Sequence, residues 1–165
     1  MATSIREALM NNRIICHYQP IVNASTNEID KYETLVRMID KNGLIIPPIE
    51  FLDISKKTKL YSHITLEVIN QACNTFENRS ENFSVNLSID DIKDPNTVYE
   101  IVKAITTTKT ASRIIFEILE SEGIENYKEV SDFIIQMKAL GAKIAIDDFG
   151  TGYSNFEHIL KLNVD

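Results

Sequence analysis

The sequence has no long apolar run, few cysteines and no surplus of positive charge. A membrane-spanning helix needs roughly 18 or more consecutive apolar residues, and no stretch of this sequence approaches that length. The first residues also lack the charged and then apolar pattern of a signal peptide. We therefore expect a soluble, cytoplasmic protein, with no membrane span in this segment.

The cysteines and histidines show no spacing that is typical of a metal or redox site. Cys16 and Cys73 lie far apart and form no Cys-x-x-Cys motif, so neither a zinc knuckle nor a dithiol redox motif is present. We expect both to be buried thiols in a reducing compartment. His17, His63 and His158 lack ligand spacing, and we expect them to be structural or exposed.

The acidic balance of the chain restricts its partners. Asp and Glu number 24 against 17 Lys and Arg, which gives a formal net charge of −7 at pH 7. Proteins that bind DNA or RNA usually present a basic surface, so we expect no polymeric nucleic acid partner. If the chain binds phosphate, a metal ion held by carboxylates would supply the positive charge.

The pattern of apolar residues predicts one α/β domain over residues 1–165. Two extended segments, 14–21 and 28–40, flank a turn-like stretch and predict an antiparallel hairpin. Strand and helix patterns then alternate, which predicts a parallel sheet covered by helices, as an open doubly wound sheet or a closed barrel. The predicted parallel strands after the hairpin are 83–87, 113–118 and 143–147.

Polar side chains occur near the carboxyl ends of these strands. Asn86 follows an apolar run, as does Glu117, and Asp147 with Asp148 ends the strand 143–147. In barrels and in open α/β sheets, ligands bind at the carboxyl ends of the strands. We therefore expect these side chains to converge at one edge of the sheet.

The second hairpin strand adds another carboxylate to this edge. The alternation of side chains along a strand puts Glu33 and Arg37 on the same side. An oxygen-rich cluster favours magnesium or manganese, and several buried carboxylates need a compensating cation. Arg37 can equally be a structural partner of Glu33. The candidate metal ligands are Glu33, Asn86, Glu117, Asp147 and Asp148.

Five segments of the chain resemble the EAL family in order and spacing. They are Tyr18-Gln19-Pro20-Ile21, Glu33-Thr34-Leu35-Val36-Arg37, Asn86-Leu87-Ser88, Glu117-Ile118-Leu119-Glu120 and Asp147-Asp148-Phe149-Gly150-Thr151-Gly152-Tyr153-Ser154. The resemblance extends from about residue 14 to residue 165. It implies a modified TIM-type (β/α)8 barrel whose first strand runs antiparallel to the rest, here incomplete and represented by roughly its first two-thirds.

The resemblance also implies a two-metal site. Glu33, Asn86, Glu117 and Asp147 match the family's ligands for one divalent ion, and Asp147 with Asp148 matches those that face a second. The ions would be magnesium or manganese. By the same resemblance, Glu33, Asp147 and Asp148 form the catalytic set.

Members of the family hydrolyse cyclic di-GMP to linear pGpG in bacterial signalling, and the resemblance implies that activity here. Gln19, Leu35 and Arg37 match positions that contact the dinucleotide. The implied partners are cyclic di-GMP, a second copy in a homodimer through the barrel, and a sensory or GGDEF domain upstream in the parent protein.

The sequence departs from the family pattern at several points. Thr34 replaces the alanine that names the motif, and Leu119 stands where a threonine is usual. The family's catalytic lysine, a later glutamate ligand and the general-base glutamate all lie after the position of Asp165. We therefore expect this chain by itself to be inactive, and to self-associate or aggregate through unpaired sheet edges.

Alternatives from other classes fit the sequence less well. Asp148-Phe149-Gly150 is the metal-binding tripeptide of protein kinases, but the other kinase motifs are missing. An unrelated metal-dependent barrel enzyme would explain the acidic residues but not the ordered motifs. The main alternative is a non-catalytic EAL module that acts as a cyclic di-GMP receptor or a protein-interaction domain. The intact set of metal-binding residues favours the enzyme.

Overall fold

The computed structural model describes residues 1–119 and 127–147, and only the backbone of Leu119, Tyr127 and Asp147. The sequence also predicts a short helix over residues 155–161 and the start of a further strand at 162–164, and both lie outside the described residues. The elements are α1 (Ala2–Met10), β1 (Ile14–Val22), β2 (Ile29–Ile39), β3 (Ile45–Ile46), α2 (Pro48–Lys57), α3 (Tyr61–Phe76), β4 (Asn82–Leu87), α4 (Ile89–Lys93), α5 (Pro95–Thr107), β5 (Ile114–Leu119), α6 (Tyr127–Ala139) and β6 (Lys143–Asp147).

The strands form one sheet in the order β1-β2-β4-β5-β6, with β3 paired to β2. β1 runs antiparallel to β2 along the hairpin, whereas β2, β4, β5 and β6 are parallel to one another. The predicted hairpin, the antiparallel first strand and the parallel sheet are therefore confirmed. The short strand β3 was not predicted from the sequence.

The strand register defines two faces of the sheet. Glu33 lies opposite Ser84 on β4, and Asn86 lies opposite Glu117 on β5. Because side chains alternate along each strand, all four lie on one side. We call this side the inner face, and the opposite side, which the helices cover, the helix face.

The hydrophobic core fills the space between the helix face and the helices. Phe83 on β4 stacks on Phe76 of α3, with ring centroids 4.5 Å apart, and Phe116 on β5 meets Phe133 of α6 edge-on at 5.7 Å. All four side chains are buried. Burial on this scale stabilises the fold chiefly through the hydrophobic effect. It also fixes which side of each strand faces the helices and which side forms the inner face.

The sequence predicts Asp94 and Pro95 as the cap and first turn of one helix and Gly141 as the end of another, and the structure confirms both. The Asp94 side chain accepts hydrogen bonds from the backbone amides of Asn96 and Thr97 at the start of α5, and Pro95 takes the first helical position. Gly141, just after α6, adopts a φ of +96°. A left-handed backbone at the end of a helix favours glycine, which is why α6 stops there.

The described cysteines and histidines lie in different environments. Both cysteines are free thiols; Cys73 is buried, as expected, whereas Cys16 is only half-buried. His17 and His63 are exposed, as expected, and His158 lies outside the described residues. Within the two described ranges, no helix combines the length and the apolar character that a bilayer crossing requires.

Candidate functional site

The inner face brings together three of the predicted metal ligands. Asn86 and Glu117 are direct neighbours on β4 and β5, and Glu33 lies one strand away, opposite Ser84. The backbone of Asp147 ends β6 and pairs with Leu119. Asp148 and the side chain of Asp147 lie outside the described part, so their place in the cluster stays a prediction.

Glu117 already has a positively charged partner. Its side chain is 12% exposed, and its Oε1 accepts a hydrogen bond from Nζ of Lys31 at 3.0 Å. Lys31 comes two residues before Glu33 on β2 and therefore shares the inner face with it. The sequence analysis missed Lys31, although the same alternation that aligned Glu33 with Arg37 would have placed it on this face.

The donor atoms of the inner face fit a hard divalent cation. Glu33 and Glu117 offer carboxylate oxygens and Asn86 offers an amide oxygen, the ligand types that magnesium and manganese prefer. A nearly buried carboxylate is stabilised by a cation close by, and Lys31 supplies one to Glu117. In the part of the chain that the structure describes, no three His, Cys, Asp or Glu side chains come together in a metal-binding group.

A buried hydrogen-bond network fixes the backbone directly after Asn86. Ser88 is the N-cap of α4, and its backbone amide and hydroxyl both donate to Oδ2 of Asp91, at 3.1 and 2.8 Å. The Thr65 hydroxyl of α3 donates to the same oxygen at 3.0 Å. These bonds attach the carboxyl end of β4 to α3, so the position of Asn86 depends on them.

A cavity of about 280 Å³ opens beside this end of the sheet. The recorded pairing between β2 and β4 ends at Glu33 and Ser84, and further along β2 the partner is β3. Leu35 and Asn86 line the cavity from the inner face of the two strands, and the cavity extends between the helix face and the helices, where its lining residues are Thr34, Val36, Pro48, Leu52, Tyr61, Ile64, Thr65 and Val68. Its walls are mainly apolar, as in most small-molecule sites.

The three predicted nucleotide contacts have different environments. Gln19 is exposed and lies opposite Glu33 across the hairpin, while Leu35 lines the cavity. Arg37 is half-buried, and its Nη1 donates to the backbone carbonyl of Val36 at 2.7 Å. An ion pair between Arg37 and Glu33, the structural alternative from the sequence, stays a prediction.

Comparison with known proteins places these observations in a family. A family model described as "EAL domain" matches residues 2–165. Among curated proteins, the cyclic di-GMP phosphodiesterase PdeF of Escherichia coli K12 is 30% identical over 171 residues, covering 100% of this chain and 23% of PdeF. The chain spans between 20% and 25% of the length of the curated relatives it matches.

Solved structures agree with the sheet topology described above. The phosphodiesterase PaMucR in complex with c-di-GMP superposes with a TM-score of 0.90 at 29% identity, covering 99% of this chain and 69% of the chain in that structure. The c-di-GMP-bound EAL domain of FimX from Pseudomonas aeruginosa gives a TM-score of 0.89 at 23% identity, covering 99% of this chain and 68% of the other. The FimX likeness shows the fold alone, and together the two confirm the predicted barrel class.

Proposed function

Because the chain belongs to the EAL domain family, we propose that it forms the metal- and nucleotide-binding part of a site that hydrolyses cyclic di-GMP to linear pGpG. One observation supports this most directly. The strand register aligns Glu33, Asn86 and Glu117 on the inner face of a parallel sheet, in the order of the family's metal ligands. The names of PdeF and PaMucR point to the same substrate.

The proposed cofactor is magnesium or manganese in a two-ion site. Glu33, Asn86, Glu117 and Asp147 would hold one ion, and Asp147 with Asp148 would face the other. Bound divalent ions activate water and neutralise phosphate charge. The chain's own contribution is to fix the donor oxygens on adjacent strands, where Asn86 adds an oxygen ligand without adding a negative charge.

The nucleotide is proposed to lie across the carboxyl ends of β2 and β4 and the part of β1 that pairs with Glu33. Leu35 gives a base an apolar surface at the cavity, and the Arg37 guanidinium can pair with a phosphate in a bidentate manner. Gln19, exposed on the neighbouring strand, can hydrogen-bond to the ligand. A cytoplasmic location, a homodimer and an upstream sensory or GGDEF domain belong to the same proposal.

Calorimetric titration of cyclic di-GMP with and without excess manganese, followed by chromatography for pGpG, tests this function. We expect binding that is strengthened by the ion, with pGpG as the product of any turnover. Glu33→Gln should weaken ion-dependent binding, whereas Asp30→Asn, which removes the same charge from an exposed position of the same strand, should not. An affinity for cyclic di-GMP that changes neither with manganese nor with Glu33→Gln would contradict the proposal.

A second candidate function is binding of cyclic di-GMP without cleavage. The observation that favours it is the contact of Lys31 with Glu117 at 3.0 Å. This contact places one positive charge beside a proposed metal ligand, where the enzyme would need a divalent ion. In the same titration, tight binding that is independent of manganese and gives no pGpG would favour this receptor role.

A further inference from the structure

The ion pair between Lys31 and Glu117 joins two strands that are not neighbours in the sheet. Lys31 lies on β2 and Glu117 on β5, with β4 between them. We propose that Lys31 is an internal cation that holds Glu117 when no divalent ion is bound and releases it when one binds, so that Lys31 sets the metal affinity of the site. This inference rests on the proposed role of Glu117 as a metal ligand.

The burial of both groups explains why the pair forms. The side chain of Glu117 is 12% exposed and that of Lys31 is 23% exposed, so water screens the two charges only partly. Removing the cation would leave a carboxylate almost buried without compensation, which is costly. The same carboxylate therefore needs either the ammonium group or a metal ion.

The lysine side chain reaches its partner across a small residue. Ser84 on β4 lies opposite Glu33 on the inner face, and Asn86, two residues further on, lies opposite Glu117. Ser84 is fully buried, and within the described ranges its hydroxyl has no hydrogen-bond partner. A small side chain at this position leaves room for the Lys31 stem to pass toward β5.

A divalent ion and the Lys31 ammonium compete for the same oxygen. An ion bound by Asn86 and Glu117 would come within a few ångström of Nζ, where two positive charges repel each other strongly in a partly buried site. A lysine has a flexible stem and a strongly hydrated head group, so it can swing away from Glu117. Metal binding therefore carries the cost of breaking this pair.

Calorimetric titration of manganese into the protein, without nucleotide, tests whether the ion replaces Lys31 as the partner of Glu117. Lys31→Met keeps most of the apolar stem and removes the charge. We expect it to bind manganese about tenfold more tightly than the wild type, because the ion no longer has to break the hydrogen bond between Lys31 and Glu117. A charge-assisted hydrogen bond of typical strength corresponds to about that factor in affinity. Lys31→Arg keeps the charge, so its affinity should stay at or below that of the wild type.

Two further measurements separate this role from a merely structural one. Without metal, Lys31→Met should unfold at a lower temperature than the wild type, and saturating manganese should remove most of that difference. Lys143→Met removes a positive charge from an exposed position of β6. It should change manganese affinity much less than Lys31→Met does, because solvent screens that charge.

Equal manganese affinity for the wild type and Lys31→Met would overturn the inference. If Glu33→Gln still abolished binding in that case, the metal site of the proposed function would stand without the Lys31 exchange. If no variant bound manganese, both proposals would fail together. The strongest support would be weak manganese binding by the wild type together with tight manganese binding by Lys31→Met.

Discussion

Replacing Thr34 by valine should stabilise this protein. Thr34 lies on the helix face of β2 and is 3% exposed, and among the described residues its Oγ1 has no hydrogen-bond partner. A buried hydroxyl that makes no hydrogen bond keeps its desolvation cost and gains nothing in return. Valine keeps the branched shape that a strand favours and replaces the hydroxyl with a methyl group.

The expected gain follows from the size of that cost. A buried polar group without a partner costs about 1–3 kcal/mol, and local relaxation recovers part of it. We expect Thr34→Val to raise the free energy of unfolding by about 1 kcal/mol, which for a chain of this length raises Tm by roughly 2–4 °C. The chain has no tryptophan, so urea unfolding is best followed by far-ultraviolet circular dichroism.

Thr65 provides a matched control for the same substitution. It is 5% exposed, but its hydroxyl donates to Oδ2 of Asp91 at 3.0 Å. Thr65→Val should therefore lower the free energy of unfolding by about 2 kcal/mol, the typical value of a hydrogen bond to a charged group. A destabilised Thr34→Val, or changes of the same sign at both positions, would refute the reasoning.

Two further predictions concern pH and helix capping. Burial raises the pKa values of Cys16 and Tyr18 to about 12, so the unfolded chain releases these protons first and stability should fall as the pH rises above about 9. Urea unfolding at about pH 8 and about pH 10.5 checks this, and equal stabilities would contradict it. Asp94→Ala removes the side chain that accepts from Thr97 at the start of α5 and should lower the free energy of unfolding by about 1 kcal/mol. Asp94→Asn, which can still cap, should cost less, and thermal unfolding of both variants compares them.

Local sequence patterns were sufficient for most of the fold. The hairpin, the proline at the start of α5 and the glycine after α6 each depend on a few neighbouring residues, and the strand predicted at 143–147 has the observed bounds. Ser4 and Glu7 have the Ser-x-x-Glu spacing that predicts a capping box at the start of the first helix, and this prediction is wrong. The first helix starts at Ala2, because the amide of Ile5 already bonds to the carbonyl of Met1 at 3.0 Å. Two elements were missed, the two-residue strand β3 and the five-residue α4, although Ser88 and Asp91 have the spacing of a capping box.

The candidate site was predictable only in part. Alternation along single strands located Glu33, Asn86 and Glu117, and the register confirms that these three share one face. The pairing of Lys31 with Glu117 joins residues 86 positions apart, and no pattern within one strand contains that information. Tertiary partners of this kind depend on strand order and on the space left by a small neighbour such as Ser84.

Strand β2 links the stability of the fold to the composition of the site. Lys31, Glu33 and Leu35 occupy its inner face, while Tyr32 and Thr34 alternate with them on the helix face, where Tyr32 packs near Phe76. A shift of one residue in register would exchange the two sets, so the aromatic packing that fixes Tyr32 also holds Glu33 and Lys31 in place. Substitutions on the helix face of β2 should therefore change stability while leaving the ligand set intact. Thr34, at the position where the family has alanine, is such a case, so this departure from the motif is compatible with a working metal site.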